Sequence, residues 1–108
     1  MNKTNKRGVI ISGNLVQDHE FIYPYYRLLE EEILIDVCIH EGVPVKGYFG
    51  TSIPPNKDHK VKKITEISVD NYDILILPGG VKSMEKVRQN QEIIRFISKF
   101  NETGKIIA

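Results

Sequence analysis

The sequence places its single cysteine and one histidine where a nucleophile and a base could meet. Cys38 and His40 are two residues apart in an apolar run, and side chains with this spacing point to the same face of a β-strand. A thiol beside an imidazole is a pairing that activates a cysteine nucleophile. The surrounding run is strongly apolar, however, which favours a second interpretation of Cys38 as a small buried hydrophobic residue.

A second group of polar side chains lies at residues 17–20. Asp18 and Glu20 flank His19, and paired carboxylates with an imidazole could serve general acid–base chemistry. The same residues open a stretch with helical periodicity, where acidic side chains act as caps and as partners of the helix dipole. The pattern favours this structural role, with Asp18 as the N-cap.

The sharpest chemical signal is Pro78-Gly79-Gly80, which follows an apolar run. Two glycines allow a tight turn that exposes backbone N–H groups, and such groups can stabilise a developing oxyanion. Taken alone, the motif is also typical of an ordinary turn between a strand and a helix. Neither it nor the turn at residues 12–14 matches a dinucleotide-binding fingerprint or a Walker loop.

The remaining chemistry-bearing residues argue against several classes of function. His19, His40 and His59 have no metal-ligand spacing to one another or to Cys38, so no metal and no other cofactor is predicted. The net charge is +1 and the basic residues are dispersed, so nucleic acid is not an expected partner. No apolar run approaches the roughly 20 residues of a membrane span. A single cysteine and a polar start indicate a cytoplasmic protein that does not bind membranes.

Apolar runs predict a mainly parallel sheet around these groups. Residues 8–11 are a continuous apolar run, as expected for a strand buried on both faces. Residues 33–39 form a second run rich in β-branched residues, and residues 73–77 repeat the buried-strand pattern. Residues 105–108 look like the opening of another interior strand. The glycine- and proline-rich segment 41–71 is interpreted as short strands or a hairpin followed by a charged excursion.

Helical periodicity fills the gaps between these runs. A helix is predicted from about Asp18 to residue 31 or 32, with a bend or a late start at Pro24. Its expected apolar stripe is Phe21, Ile22, Tyr25, Leu28 and Leu29. A short helix is predicted at residues 83–88.

A longer helix is predicted at residues 91–101. Asn90 is its expected N-cap and Gly104 its C-terminal stop. The expected apolar face is Ile93, Ile94, Ile97 and Phe100.

These elements predict one α/β domain over residues 1–108, with a flavodoxin-like, doubly wound sheet in three α/β/α layers. The order strand, helix, strand favours right-handed crossovers. A sheet covered on both faces cannot end in a central strand without exposing apolar surface. The chain is therefore interpreted as the incomplete, N-terminal portion of such a domain.

Three stretches together resemble the ThiJ/PfpI superfamily, the class I glutamine-amidotransferase-like proteins that include intracellular proteases, deglycases, glyoxalases and chaperones. Residues 17–31, QDHEFIYPYYRLLEE, look like the PfpI-type helix after the first strand. Residues 72–80 are similar to the family's strand and glycine turn, and residues 104–108 to the strand that leads into its nucleophile elbow.

The resemblance implies a set of site residues. The family's nucleophilic cysteine would follow Ala108, so no catalytic residue is assigned within this chain, and the chain is expected to be truncated before the elbow. Gly79 and Gly80 match part of the oxyanion hole, with Gly80 as the expected N–H donor, and Glu20 matches a residue near the pocket. Gln17 stands where the family has a glutamate; an amide can hydrogen-bond but cannot act as a base.

Two hypotheses follow for function. The first is part of a cysteine protease-, amidase- or deglycase-type hydrolase that is inactive alone and whose full-length form acts on a small molecule or peptide. The second is a non-catalytic interaction or dimerisation module of the same fold. Exposed apolar surface predicts a homo-oligomer in either case. The stretch around residues 56–64 is longer than in compact PfpI-type proteins, so the resemblance implies nothing about the local surface there.

Overall fold

The computed structural model describes residues 6–13, 16–39, 42–56, 59–78 and 90–108. The elements within these ranges are β1 (Arg7–Ser12), α1 (Asp18–Glu30), β2 (Leu34–Ile39), β3 (Val45–Lys46), β4 (Ser52–Ile53), β5 (Val61–Lys62), two 3-10 turns (Ile64–Glu66 and Val69–Asn71), β6 (Ile74–Ile76), α2 (Gln91–Glu102) and β7 (Ile106–Ile107). The helix predicted at residues 83–88 lies outside the described residues.

Five strands form one parallel sheet in the order β5-β2-β1-β6-β7. The chain crosses from β1 to β2 in one direction and from β6 to β7 in the other. Right-handed crossovers that run in opposite directions place their helices on opposite faces of a sheet, and α1 and α2 pack in this way. The predicted doubly wound, flavodoxin-like fold is confirmed.

The pleat of β1 divides the core into two halves. Val9 and Ile11 contribute to the cluster beneath α2, whereas Ile10 belongs to the cluster beneath α1. All three side chains are at most 1% exposed. A strand buried on both faces must be apolar at every position, which explains the continuous run in the sequence.

Helix α1 differs from its prediction at both ends. Gln17 holds the cap position, with no side-chain cap hydrogen bond, and Asp18 is already helical. The prediction of Asp18 as N-cap is therefore wrong. Pro24 lies inside the helix, six residues after its first residue, so the helix does not start late. The helix ends at Glu30, because Glu32 adopts a positive φ of 59°.

The stripe predicted for α1 is confirmed in part. Phe21 and Tyr25 are completely buried, and Ile22 and Leu28 are half-buried against the same cluster. Leu29 is 42% exposed, so the buried stripe is narrower than the sequence indicates.

Helix α2 confirms its predicted ends but corrects its apolar face. The Asn90 side chain accepts a hydrogen bond from the Ile93 N–H at 3.0 Å, and Gly104 follows the helix with φ of 75°. Phe96, which the prediction omitted, is 7% exposed, whereas Ile94 is 41% exposed. The helix presents positions 93, 96 and 100 to the sheet, and this spacing leaves position 94 on the outer side.

The segment between β2 and β6 contains the predicted hairpin, formed by antiparallel β3 and β4. Its charged part is held to the core through His59. The Tyr25 hydroxyl lies 2.8 Å from His59 Nδ1, and His59 Nε2 lies 2.9 Å from the Ile35 carbonyl oxygen. A carbonyl only accepts, so Nε2 carries the hydrogen and, in the neutral ring, Nδ1 accepts from the phenol.

Neither of the helices in the described ranges is long and apolar enough to cross a membrane.

The corrected face of α2 predicts unequal effects of two truncations. Phe96→Ala should lower the free energy of unfolding by about 3 kcal/mol, because it removes a buried ring and leaves a cavity. Ile94→Ala should change it by less than about 0.5 kcal/mol, because that side chain faces solvent. Urea unfolding of both variants checks this. Equal losses of unfolding free energy in the two variants would show that Ile94 belongs to the core.

Candidate functional site

The carboxyl ends of β1 and β6 define a crevice at the centre of the sheet. From β1 the chain crosses towards β2, whereas from β6 it crosses towards β7 on the other side. The two crossovers therefore run away from each other, which makes the space between these strand ends the topological switch point of the sheet. Doubly wound sheets bind ligands in a crevice at this point, and we take it as the candidate site.

Ser12, the last residue of β1, brings a buried hydroxyl to this edge. It is 2% exposed, and the alternation of the strand places it on the same face as Ile10, the face that α1 covers. Its Oγ has no hydrogen-bond partner among the described residues. Buried hydroxyls are normally satisfied by protein, water or ligand, so Ser12 can hold a polar atom here. Sequence reasoning assigned it only to a turn.

The predicted pocket residues Gln17 and Glu20 occupy the start of α1 at the same edge. The Glu20 N–H donates to the Gln17 carbonyl oxygen at 2.9 Å, which places them one turn apart, and both side chains are exposed. Gly79 and Gly80, the predicted oxyanion-hole residues, lie outside the described residues. Their roles therefore stay predictions.

Ala108 lies at the carboxyl edge beside the end of β6. Its N–H donates to the Leu75 carbonyl oxygen at 2.8 Å, and its carbonyl accepts from the Leu77 N–H at 2.9 Å. This parallel ladder carries residue 108 to the same edge of the sheet as Ser12, with β6 between their strands.

Asp18 has a different role from the predicted cap. Its carboxylate accepts hydrogen bonds from the backbone N–H groups of Phe49 at 2.8 Å and of Thr51 at 3.2 Å, while the residue is 3% exposed. The hydrogen bond with the Thr51 side chain is the largest influence and lowers the pKa of Asp18; burial opposes it, and the backbone donors add to the lowering. Asp18 therefore fastens the hairpin to the start of α1.

Gly47 permits this contact. A side chain at Gly47 would overlap the Asp18 carboxylate. The sequence showed a glycine-rich segment but no signal linking it to Asp18, because the partners are some 30 positions apart in the chain.

Cys38 is the buried hydrophobic residue that the second interpretation describes. It is completely inaccessible. Burial, and to a smaller degree the negative charge of Glu66, raises the pKa of the thiol to about 12. A neutral, enclosed thiol is a poor nucleophile. His40, the proposed base, lies outside the described residues.

Across the described ranges, no three His, Cys, Asp or Glu side chains are grouped so that they could hold a metal ion.

The environment of Cys38 predicts slow alkylation. With the pKa moved from 9.0 to about 12, the thiolate fraction at pH 8 is about a thousandfold smaller than in the unfolded chain. Iodoacetamide should label the protein rapidly only in urea. Because the neutral form is favoured on folding, this contribution to stability is complete below pH 9.0 and is lost as the pH rises towards 12. Rapid labelling of the folded chain would contradict the assignment.

The Asp18 contacts predict a local effect of substitution. In Asp18→Asn the amide oxygen still accepts one hydrogen bond but the amide nitrogen cannot accept the other, so exchange of either the Phe49 or the Thr51 amide hydrogen should accelerate about tenfold. Glu20→Gln, an exposed substitution in the same helical turn, is the matched control. In the unsubstituted chain the two hydrogen bonds should persist above the ordinary pKa of 3.8 and weaken as the pH falls through the lowered value. Unchanged exchange in Asp18→Asn would show that the Asp18 carboxylate does not hold the hairpin to the start of α1.

The fold and sequence are similar to those of known proteins. A deglycase of Pyrococcus abyssi is 36% identical over 104 residues, which cover 94% of this chain and 58% of that protein. Deglycase PfpI of Pyrococcus furiosus is 32% identical over 100 residues, which cover 93% of this chain and 57% of that protein. The chain thus spans a little over half the length of these relatives.

Solved structures share the same architecture. A two-domain protein of Anabaena variabilis, containing DJ-1/ThiJ/PfpI-like and ferritin-like domains, superposes with a TM-score of 0.85 at 27% identity, covering 95% of this chain and 28% of that one. DJ-1beta of Drosophila melanogaster gives 0.83 at 19% identity, covering 96% and 54%. The family model described as DJ-1/PfpI matches residues 6–108. The chain therefore belongs to the DJ-1/PfpI family.

Proposed function

We propose that this chain supplies the substrate-binding edge of a cysteine-dependent deglycase- or amidase-type hydrolase, and that it is inactive without residues beyond the 108 of this sequence. The observation that carries the proposal is the state of Cys38, the sole thiol of the sequence. It is enclosed and neutral, with a pKa raised to about 12. The thiolate for such a reaction must then come from elsewhere.

The carboxyl edge has the features that such a reaction needs. Attack of a thiolate on a carbonyl creates a negative oxygen, and backbone N–H groups near it lower the barrier. Gly79 and Gly80 are the proposed source of these groups. Ala108 reaches the same edge, which supports a nucleophile on the residues that would follow it.

Gln17 gives the proposed site a distinctive chemistry. In the resemblance it takes the position of a glutamate that hydrogen-bonds the nucleophilic thiol. Its amide can donate or accept a hydrogen bond but cannot take up a proton. We propose that Gln17 orients the thiol without serving as its base, and that Glu20, one turn along α1, contributes charge at the pocket.

The reading frame and an activity assay test the proposal together. Intact mass and the DNA beyond the Ala108 codon establish the natural length. If the frame continues into a cysteine-bearing turn, the longer protein should hydrolyse the glyoxal hemithioacetal of N-acetylcysteine to N-acetylcysteine and glycolate, and its Cys→Ala variant and the 108-residue chain should not. Turnover by the 108-residue chain that survives Cys38→Ala would refute the dependence on a thiol. Turnover by the 108-residue chain that is lost in Cys38→Ala would show that Cys38 is the nucleophile, against the proposal.

One observation favours the alternative, a non-catalytic interaction module. Ile106 in β7 is 59% exposed, and β7 pairs with β6 alone among the described strands. An apolar edge strand invites pairing with another chain. Under this alternative the 108-residue chain is a homo-oligomer, and Ile106→Lys should convert it to monomers, as measured by light scattering. The longer protein should then be inactive.

A further inference from the structure

The hairpin tip at residues 47–51 is a rigid turn that carries two exposed rings. Each of its five N–H groups has an acceptor. Gly47 donates to the Thr51 carbonyl at 2.8 Å, and Gly50 donates to the Gly47 carbonyl at 2.9 Å. Tyr48 donates to the Val16 carbonyl at 2.8 Å, and Phe49 and Thr51 donate to the Asp18 carboxylate. The backbone is therefore held at every residue.

The two ring side chains face away from this network. Tyr48 is 59% exposed and Phe49 is 74% exposed. They contact each other edge to face, with centroids 5.4 Å apart. Scattered exposed apolar residues are ordinary, but two adjacent rings on a fully bonded turn present a preformed apolar surface.

The turn lies beside the candidate site. The Val16 carbonyl that receives the Tyr48 N–H is four residues beyond Ser12, the end of β1. Ile53, at the base of the hairpin, packs in the cluster beneath α1, so the hairpin and the buried Ser12 hydroxyl are on the same face of the sheet. The turn backbone therefore contacts the segment that leads from the carboxyl end of β1 into α1.

The charged groups of Asp18 and Lys46, which lie at the hairpin, are both hydrogen-bonded to it. Both oxygens of the Asp18 carboxylate accept hydrogen bonds from the turn backbone, so the negative charge is directed towards the turn and not towards the two rings. The Lys46 ammonium donates to Ser52 Oγ at 3.4 Å, below the tip. The surface that Tyr48 and Phe49 offer suits an uncharged group.

We propose that Tyr48 and Phe49 form the specificity wall of the site and select substrates with an aromatic or large aliphatic side chain next to the reacting group. This inference rests on the proposed function. Asp18 is a positioning residue in it, because its hydrogen bonds fix the turn, and Gly47 leaves room for the carboxylate. The rings contact the substrate side chain and do not take part in bond making.

Binding without turnover tests the wall. The 108-residue chain is titrated with N-acetyl-phenylalanine amide and with N-acetyl-alanine amide, and backbone amide shifts are followed by NMR. The phenylalanine ligand should bind about tenfold more tightly, since it buries a ring, and should shift the amides of Gly13, Val16 and the turn at residues 47–51.

Substitutions assign the preference to the rings. Phe49→Ala should remove the roughly tenfold advantage of the phenylalanine ligand, and Tyr48→Ala should reduce it. Tyr23→Ala is the matched control, because Tyr23 is also 74% exposed but lies on α1 outside the turn; it should leave binding unchanged. Asp18→Asn should weaken binding of the phenylalanine ligand while the far-UV circular dichroism stays unchanged.

Three results would overturn the inference. The two ligands bind equally well, the amide shifts are confined to residues away from the turn, or Phe49→Ala turns an oligomer into a monomer and keeps the ligand preference. The last would assign the rings to contact between copies. Failure of the proposed function appears separately, as an inactive longer protein whose 108-residue part still prefers the phenylalanine ligand through Phe49.

Discussion

The complete burial of β1 is the constraint on which the rest of the structure depends. The strand pairs with β2 on one side and β6 on the other, and residues 8–12 are buried throughout. Apolar cover is then needed on both faces, and right-handed crossovers provide it because the crossover from β1 to β2 and the crossover from β6 to β7 run in opposite directions. The same reversal opens the crevice at the end of β1, so the requirement that buries the core also creates the candidate site.

Segments without a strong apolar pattern are fixed to this core by polar contacts instead. Asp36, on β2, accepts from the Tyr72 hydroxyl at 2.6 Å and from Arg7 Nη2 at 3.1 Å, with Lys62 Nζ at 3.5 Å. His59 holds the charged excursion to α1 and β2. These contacts tie β5 and the loop before β6 to the sheet.

The Asp18 carboxylate links the fold to the site in the same way. It is buried at the first turn of α1, yet its oxygens accept hydrogen bonds from the hairpin. Val16, the start of α1 and the hairpin tip are thereby joined by hydrogen bonds near the carboxyl end of β1. The doubly wound topology puts the candidate site at this edge, whereas Asp18 and the hairpin shape the surface beside it in this chain.

The sequence by itself determined the strands β1, β2, β6 and β7 and the two helices, because apolar runs and helical periodicity are local consequences of burial. It indicated the family as well, through the three stretches that resemble it. It also indicated that Cys38 is enclosed. Only the tertiary structure decided which neighbours each side chain meets. Phe96 rather than Ile94 faces the core because the rotation of α2 is set by packing against the sheet. Asp18 binds Phe49 and Thr51 rather than capping α1, because such partners are brought together by folding and leave no trace in local spacing.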